Sequence, residues 1–229
     1  MHAPGPRLAF TLAATLFLAG CAGDGDRSAK PRVGASQDRR QRAGQGRLAT
    51  PAGQQCLAAL AQSGARFTPL ADRDYGGGCT ALGSVQMDRI GGDMGQFAVT
   101  NLTALTCPAA NSLAGWARYG VDRAARQILG SPIARIETMG SYSCRNIAGS
   151  GKRSAHARAE ALDIGAFVLA DGRRISVRNG WNGTRDERAF LRVVHRSACK
   201  RFGTVLGPDY NKAHEDHLHL EQGTGSFCR

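Results

Sequence analysis

SAHARAEALDIGAFVLADGRRISV, Ser154 to Val177, is the stretch whose reading decides the fold. Leu162 to Leu169 (LDIGAFVL) is an apolar run of strand length, suited to burial. Asp171-Gly172 is turn chemistry, and Arg174 to Val177 reads as a second strand beside the first. The buried strand opens on an acid, Asp163, and His156 lies seven residues before it. A carboxylate entering a core needs a partner, so the hairpin raises a question of chemistry as well as of fold.

Working outward, Ile133 to Met139 reads as a strand before the hairpin and His217 to Glu221 as a strand after it. Cys56 to Ser63 has the composition of a short helix. Ser112 is placed to cap a helix from Leu113 to Leu129, with Leu113, Trp116, Val121, Ala124 and Ile128 on its apolar face. Gly130-Ser131-Pro132 stops it. Asp186 to Phe202 is amphipathic, with Phe190, Val193, Val194 and Ala198 at helical spacing. The expectation is an α+β domain over residues 51–229, with a small antiparallel sheet flanked by helices. His195 on the last helix, Trp116 and Trp181 read as structural.

The chain starts with Arg7 and an apolar run from Leu8 to Gly20, too short for a comfortable membrane span and fitting a secretory signal over residues 1–20. Leu18-Ala19-Gly20-Cys21 resembles a bacterial lipobox, which implies lipidation of Cys21. Ala22 after it implies the outer membrane. Residues 22–50 are rich in Gly, Ser, Gln and Arg, with seven basic and three acidic side chains, a net of +4. Such a segment buries too little apolar surface to order itself and reads as a flexible tether. The whole chain carries +12. In an exported protein that balance suits acidic lipid or an anionic wall polymer, and not nucleic acid.

Setting Cys21 aside leaves six cysteines, an even number in an oxidising compartment. Fifteen pairings are open. The expected set is Cys56–Cys79, Cys107–Cys199 and Cys144–Cys228. No CxxC pair supports a cysteine-ligated metal.

HEDHLHLE, His214 to Glu221, places three histidines and three acids in eight positions. On a strand, His217 and His219 share a face. Two imidazoles together with His156 and Asp163 make a donor set suited to zinc.

SxHx₆D followed by HxH resembles the zinc peptidases grouped with lysostaphin, the D-alanyl-D-alanine metallopeptidases and the hedgehog signalling domain. LTCPAA (105–110), GSYSCR (140–145), SAHARAEALDI, TVLGPDYNKAHEDHLHLE and Cys228 are similar to the landmarks of the bacterial extensin-like C-terminal family. The resemblance implies His156, Asp163 and His219 as zinc ligands and His217 as general base. It implies His214 as a further catalytic histidine stabilising the oxyanion, and Arg145 as a clamp on a substrate carboxylate. Asp216 and Glu221 are candidates to orient the imidazoles. The pattern carries Gly where Ala159 stands here: a turn needing positive φ is strained in this chain, and one needing only a small side chain tolerates it.

The implied activity is a zinc-dependent peptidoglycan hydrolase in the periplasm, cutting crosslinked stem peptides. The alternatives are a carboxypeptidase on the same peptides and a wall-binding module with structural zinc. A structural wall protein is disfavoured: the chain has only eight prolines and no Pro-rich repeat.

Overall fold

The computed structural model describes residues 46–229. The expectations for the signal segment, for lipidation of Cys21 and for the tether up to residue 45 lie outside the described residues. Arg47–Ala49 forms a 3-10 turn with Leu48 buried, and the Arg47 N–H donates to Asp72 Oδ2 at 2.7 Å. The tether expected to reach Thr50 therefore gives way to packed chain by Leu48.

Helix α1 (Pro51–Gln62) begins earlier than Cys56 because Thr50 accepts the Gly53 N–H and Pro51 fits the first turn. Helix α2 (Cys107–Trp116) continues through wider turns at Ala117–Asp122 and Ala125–Leu129. Its start lies six residues before the expected Leu113. Pro108 in its first turn is the signal, and Ser112 is no cap but donates to Gln222 Oε1 at 2.9 Å. Helix α3 (Val177–Gly180) takes over the expected end of the hairpin. Helix α4 (Arg185–Ala198) carries a full capping box between Thr184 and Glu187.

The strands are β1 (Arg66–Pro69), β2 (Arg73–Gly76), β3 (Cys79–Ala81), β4 (Ser84–Gly91), β5 (Gln96–Thr100) and β6 (Leu105–Thr106). There follow β7 (Ile133–Gly140), β8 (Ala161–Leu169), β9 (Arg174–Ser176), β10 (Thr204–Leu206), β11 (Leu218–Glu221) and β12 (Phe227–Cys228). The sheet is larger than expected and mixed. Ten strands run β1-β4-β5-β7-β8-β11-β10-β12, with β6 on β4 and β9 on β8. β5 and β7 are parallel, as are β10 and β12. A parallel pair needs a crossover, and α2 with its continuation supplies the one between β5 and β7. The hairpin of β8 and β9 is antiparallel as read. β2 and β3 form a separate two-stranded ribbon.

Trp116, Phe167, Phe190 and Phe202 meet edge to face between sheet and helices. The Trp116 indole N–H donates to the Val194 carbonyl at 2.9 Å. Trp181 is buried too, and His195 packs on it. Among the described residues no helix is long and apolar enough to cross a membrane.

The disulfides are Cys56–Cys107, Cys79–Cys144 and Cys199–Cys228, with Cα separations of 6.2, 5.5 and 5.8 Å. None is an expected pair. Spacing favoured a local loop at Cys56–Cys79, but packing decides. α1 lies on the start of α2, the β2–β3 ribbon lies on the loop after β7, and the end of α4 lies against β12. His195 gathers with Cys199 and Cys228, yet a disulfide leaves no thiolate for a metal.

Candidate metal centre

β8 and β11 are antiparallel neighbours, and His219 stands directly opposite Asp163. Opposed residues on such strands keep their side chains within about 5 Å, so the sheet register alone brings these two groups together. The register between β7 and β8 is irregular beside Asp163, where Gly140 is its partner. Such bulges re-aim a side chain.

His156 arrives differently, on a 3-10 turn (Ala155–Arg158) before β8. Ser154 accepts the His156 N–H at 3.3 Å. The turn ends at Ala159, fully buried, with φ 56° and ψ 26°. The position does need the left-handed region, which costs a non-glycine residue roughly 1–3 kcal/mol. Three bonds hold it there. The Ala159 N–H donates to the His156 carbonyl at 3.1 Å, its carbonyl accepts from Thr106 at 2.8 Å, and the Glu160 N–H donates to Ala155 at 3.1 Å.

Three donor atoms converge. His156 Nε2 lies 3.2 Å from Asp163 Oδ2 and 3.2 Å from His219 Nδ1, and His219 Nδ1 lies 2.9 Å from Asp163 Oδ1. Ligands at about 2.0–2.1 Å from one tetrahedral zinc stand about 3.3 Å from each other, so the triangle fits. The outer partners set the tautomers. His156 Nδ1–H donates to the Ser141 carbonyl at 2.5 Å, which leaves Nε2 as the lone pair. His219 Nε2 faces Glu221 Oε2 at 3.5 Å, which leaves Nδ1 inward. Two imidazole lone pairs and a carboxylate facing one point in a buried site call for a cation between them.

In the absence of a metal, protons answer to the same arrangement. Burial alone lowers the His219 pKa, but hydrogen bonds to Asp163 and Glu221 outweigh it and raise it to about 9. Burial opposes ionisation of Asp163, and the hydrogen bonds from His156 and His219 override it, holding the carboxyl far below its usual range. Without a metal, a proton on His219 fills the position.

His217 precedes β11. Its Nε2 lies 3.6 Å from Asp163 Oδ1, but it is not among the donor atoms that all lie within 4.8 Å of one another. Its Nδ1–H donates to Asp216 Oδ1 at 2.8 Å, and Arg178 holds the other Asp216 oxygen at 3.0 Å. The lone pair on Nε2 thus faces the centre. His214 sits in the wall, with ring centroids 5.1 Å from His217 and 5.9 Å from His219. Its Nδ1–H donates to Asn211 at 2.7 Å. Burial, then the neighbouring His217 and His219, lower its pKa to about 4, so it is neutral at pH 7. Arg145 is half exposed, with Nη2 3.8 Å from Asp163 Oδ2.

Arg145, His214, His217 and His219 border a cleft of about 510 Å³, which Arg153 and Arg158 make cationic and to which Tyr210, Phe227 and Ile147 add apolar surface. The structure brings together all six residues expected at the site. Three contributors were not foreseen: the Ser141 carbonyl, Asn211 and Arg178. A main-chain carbonyl has no side-chain signature, and Arg178 is distant in sequence from the histidines it serves.

No curated protein and no solved structure is found to match the chain. The family described as the extensin-like protein C-terminus matches residues 54–229, well over half of the sequence, and the chain belongs to that family.

Proposed function

We propose that the domain is a zinc-dependent hydrolase of peptide bonds in peptidoglycan, acting on crosslinked stem peptides. The observation that carries this reading is the buried triangle of His156 Nε2, Asp163 and His219 Nδ1, of which His219 also lines a cationic cleft. Three protein donors, against the four of a structural site, are the pattern of a catalytic zinc site. A zinc ion held there supplies a Lewis acid and brings the pKa of its water toward neutrality.

The chain's own groups do the rest. His217 Nε2 takes the proton of the attacking water and returns it to the leaving amine. Asp216 fixes the tautomer that makes this possible and stabilises the imidazolium as it forms. Arg145, always charged, pairs with a substrate carboxylate or with the oxygen that gains charge. His214, neutral and bonded through Nδ1 to Asn211, completes the wall beside the reacting carbonyl. The tether and Cys21 belong to the same reading: a lipid-anchored enzyme in the periplasm, held at the outer membrane within reach of the wall.

Incubation of the zinc-loaded protein with crosslinked muropeptide dimers tests the proposal. Conversion to monomers, read by chromatography and mass spectrometry, is the expected result. Release of free D-alanine alone would indicate the carboxypeptidase variant. Binding to intact sacculi without any cleavage would indicate a wall-binding module.

A further inference from the structure

A second groove, of about 610 Å³, lies on the open face of the same sheet. It contains none of the three candidate metal ligands. Its floor is Met139, 57% exposed, beside Gly165 of β8. Its sides carry Glu137, Arg174, Arg178 and Asp216. Two features tie it to the metal centre. Asp216 lines the groove while His217, the next residue, lines the cationic cleft. Gly165 stands two residues along β8 from Asp163, about 7 Å at the rise of a strand.

We infer that cleft and groove are two halves of one substrate track, so that the substrate runs past the metal centre instead of ending at it. An extended peptide advances about 3.3 Å per residue. With its scissile carbonyl at His156, Asp163 and His219, residues two or three positions away lie over Met139 and Gly165. The halves differ in charge. The cleft side is cationic through Arg145, Arg153 and Arg158 and takes the carboxylate-rich strand. The groove holds acids and bases in balance. Glu137 is bonded to Arg135 at 2.7 Å and Arg174 at 2.7 Å, and Asp216 to Arg178 at 3.0 Å. Paired charges of both signs with an exposed thioether between them complement a strand bearing both ammonium and carboxylate groups. The substrate class is therefore a branched peptide with chain on both sides of the bond, and not a single stem with a free end at the centre. Gly165 leaves the floor low: a Cβ there would meet Met139 Cγ at 3.1 Å.

This inference rests on the proposed function, and equilibrium binding separates the two. The full chain carrying His217→Ala, zinc-loaded, is titrated calorimetrically with a crosslinked tetrapeptide muropeptide dimer and with the tetrapeptide monomer. The dimer should bind at least about tenfold more tightly. Adding Met139→Arg, which fills the groove at an exposed position, should bring the dimer's affinity down to that of the monomer, with circular dichroism confirming the fold. Equal affinities in the parent, or a dimer advantage that survives Met139→Arg, would overturn the two-sided track alone. Binding of neither peptide would overturn the peptidoglycan reading and the track with it.

Discussion

Asp163 and His219 reach the candidate metal centre on paired strands, whereas His156 reaches it on an irregular turn. The two routes have different physical costs. On β8 and β11 the ladder that builds the sheet also sets the separation of the two side chains, so no further device is required. The turn needs several. Ser154 caps it, Ala159 accepts a strained φ, the Ser141 carbonyl orients the ring, and Cys79–Cys144 ties the loop between β7 and the turn to the β2–β3 ribbon. The lesson is that sheet register positions ligands at no added cost, while a loop ligand depends on neighbours that are not ligands themselves.

The largest effect comes from breaking the strand side. His219→Ala removes a donor and should lower zinc affinity by more than about a thousandfold, well beyond the roughly 10–100-fold typical of an outer partner. Equilibrium competition with a chelating dye measures it. Retention of tight zinc would place the site elsewhere.

The disulfides separate the two routes next. Cys79–Cys144 closes a loop of 65 residues and Cys199–Cys228 one of 29, each worth about 3.5–4.5 kcal/mol in the chain-entropy picture. Paired Cys→Ser changes should therefore destabilise the fold similarly in urea. Only the loss of Cys79–Cys144 should also weaken zinc binding, because only it restrains the loop that carries Ser141. Equal zinc affinities for the two variants would remove the distinction.

Protons sharpen the strand side. With the His219 pKa raised to about 9, metal uptake at pH 7 must displace a proton. Affinity then rises about tenfold per pH unit and levels off above about 9. In the metal-free protein the sign is that of a raised pKa. The stability His219 contributes is complete below its ordinary 6.5 and is lost as pH rises through about 9. Calorimetry in two buffers of different ionisation enthalpy counts the proton, and zero release at pH 7 would contradict the pairing with Asp163.

Outer partners give smaller, separable effects. Glu221→Gln should weaken zinc roughly 10–100-fold. Asp216→Asn should leave zinc content unchanged and lower hydrolysis by a similar factor, with the loss in kcat. A zinc deficit in Asp216→Asn would make His217 a ligand instead of a base.

Ala159 should give the smallest effect. Glycine relieves roughly 1–3 kcal/mol of strain, but it forfeits a buried methyl worth about 0.8 kcal/mol and gains freedom when unfolded worth about 0.5–1 kcal/mol. The terms largely offset, so Ala159→Gly should shift stability by less than about 2 kcal/mol. Ala159→Val, branched at positive φ, should cost several times more. A large gain from glycine would mean that the turn is poorly braced.

The same comparison shows how much was legible in the sequence. The β8 strand, the β9 hairpin and α4 follow from periodicity and turn residues, and the ligand candidates follow from SxHx₆D and HxH. The start of α2 was misplaced because Ser112 imitates a cap, while Pro108 marks the true first turn. The expectation of a small antiparallel sheet omits β4, of eight residues, and β5, of five, as well as β6 and β12, which have only two residues each and no period to detect. The cysteine pairs depend on which elements pack together, which linear spacing does not encode. At the site, donors were visible as residue types, and the Ser141 carbonyl was not.

X-ray absorption at the zinc edge, on the purified chain loaded with one equivalent, tests the central claim most directly. Two imidazole nitrogens and a carboxylate oxygen at about 2.0–2.2 Å, with one imidazole lost in His219→Ala, are the predicted result. Sulfur ligation, or a spectrum unchanged by His219→Ala, would contradict it.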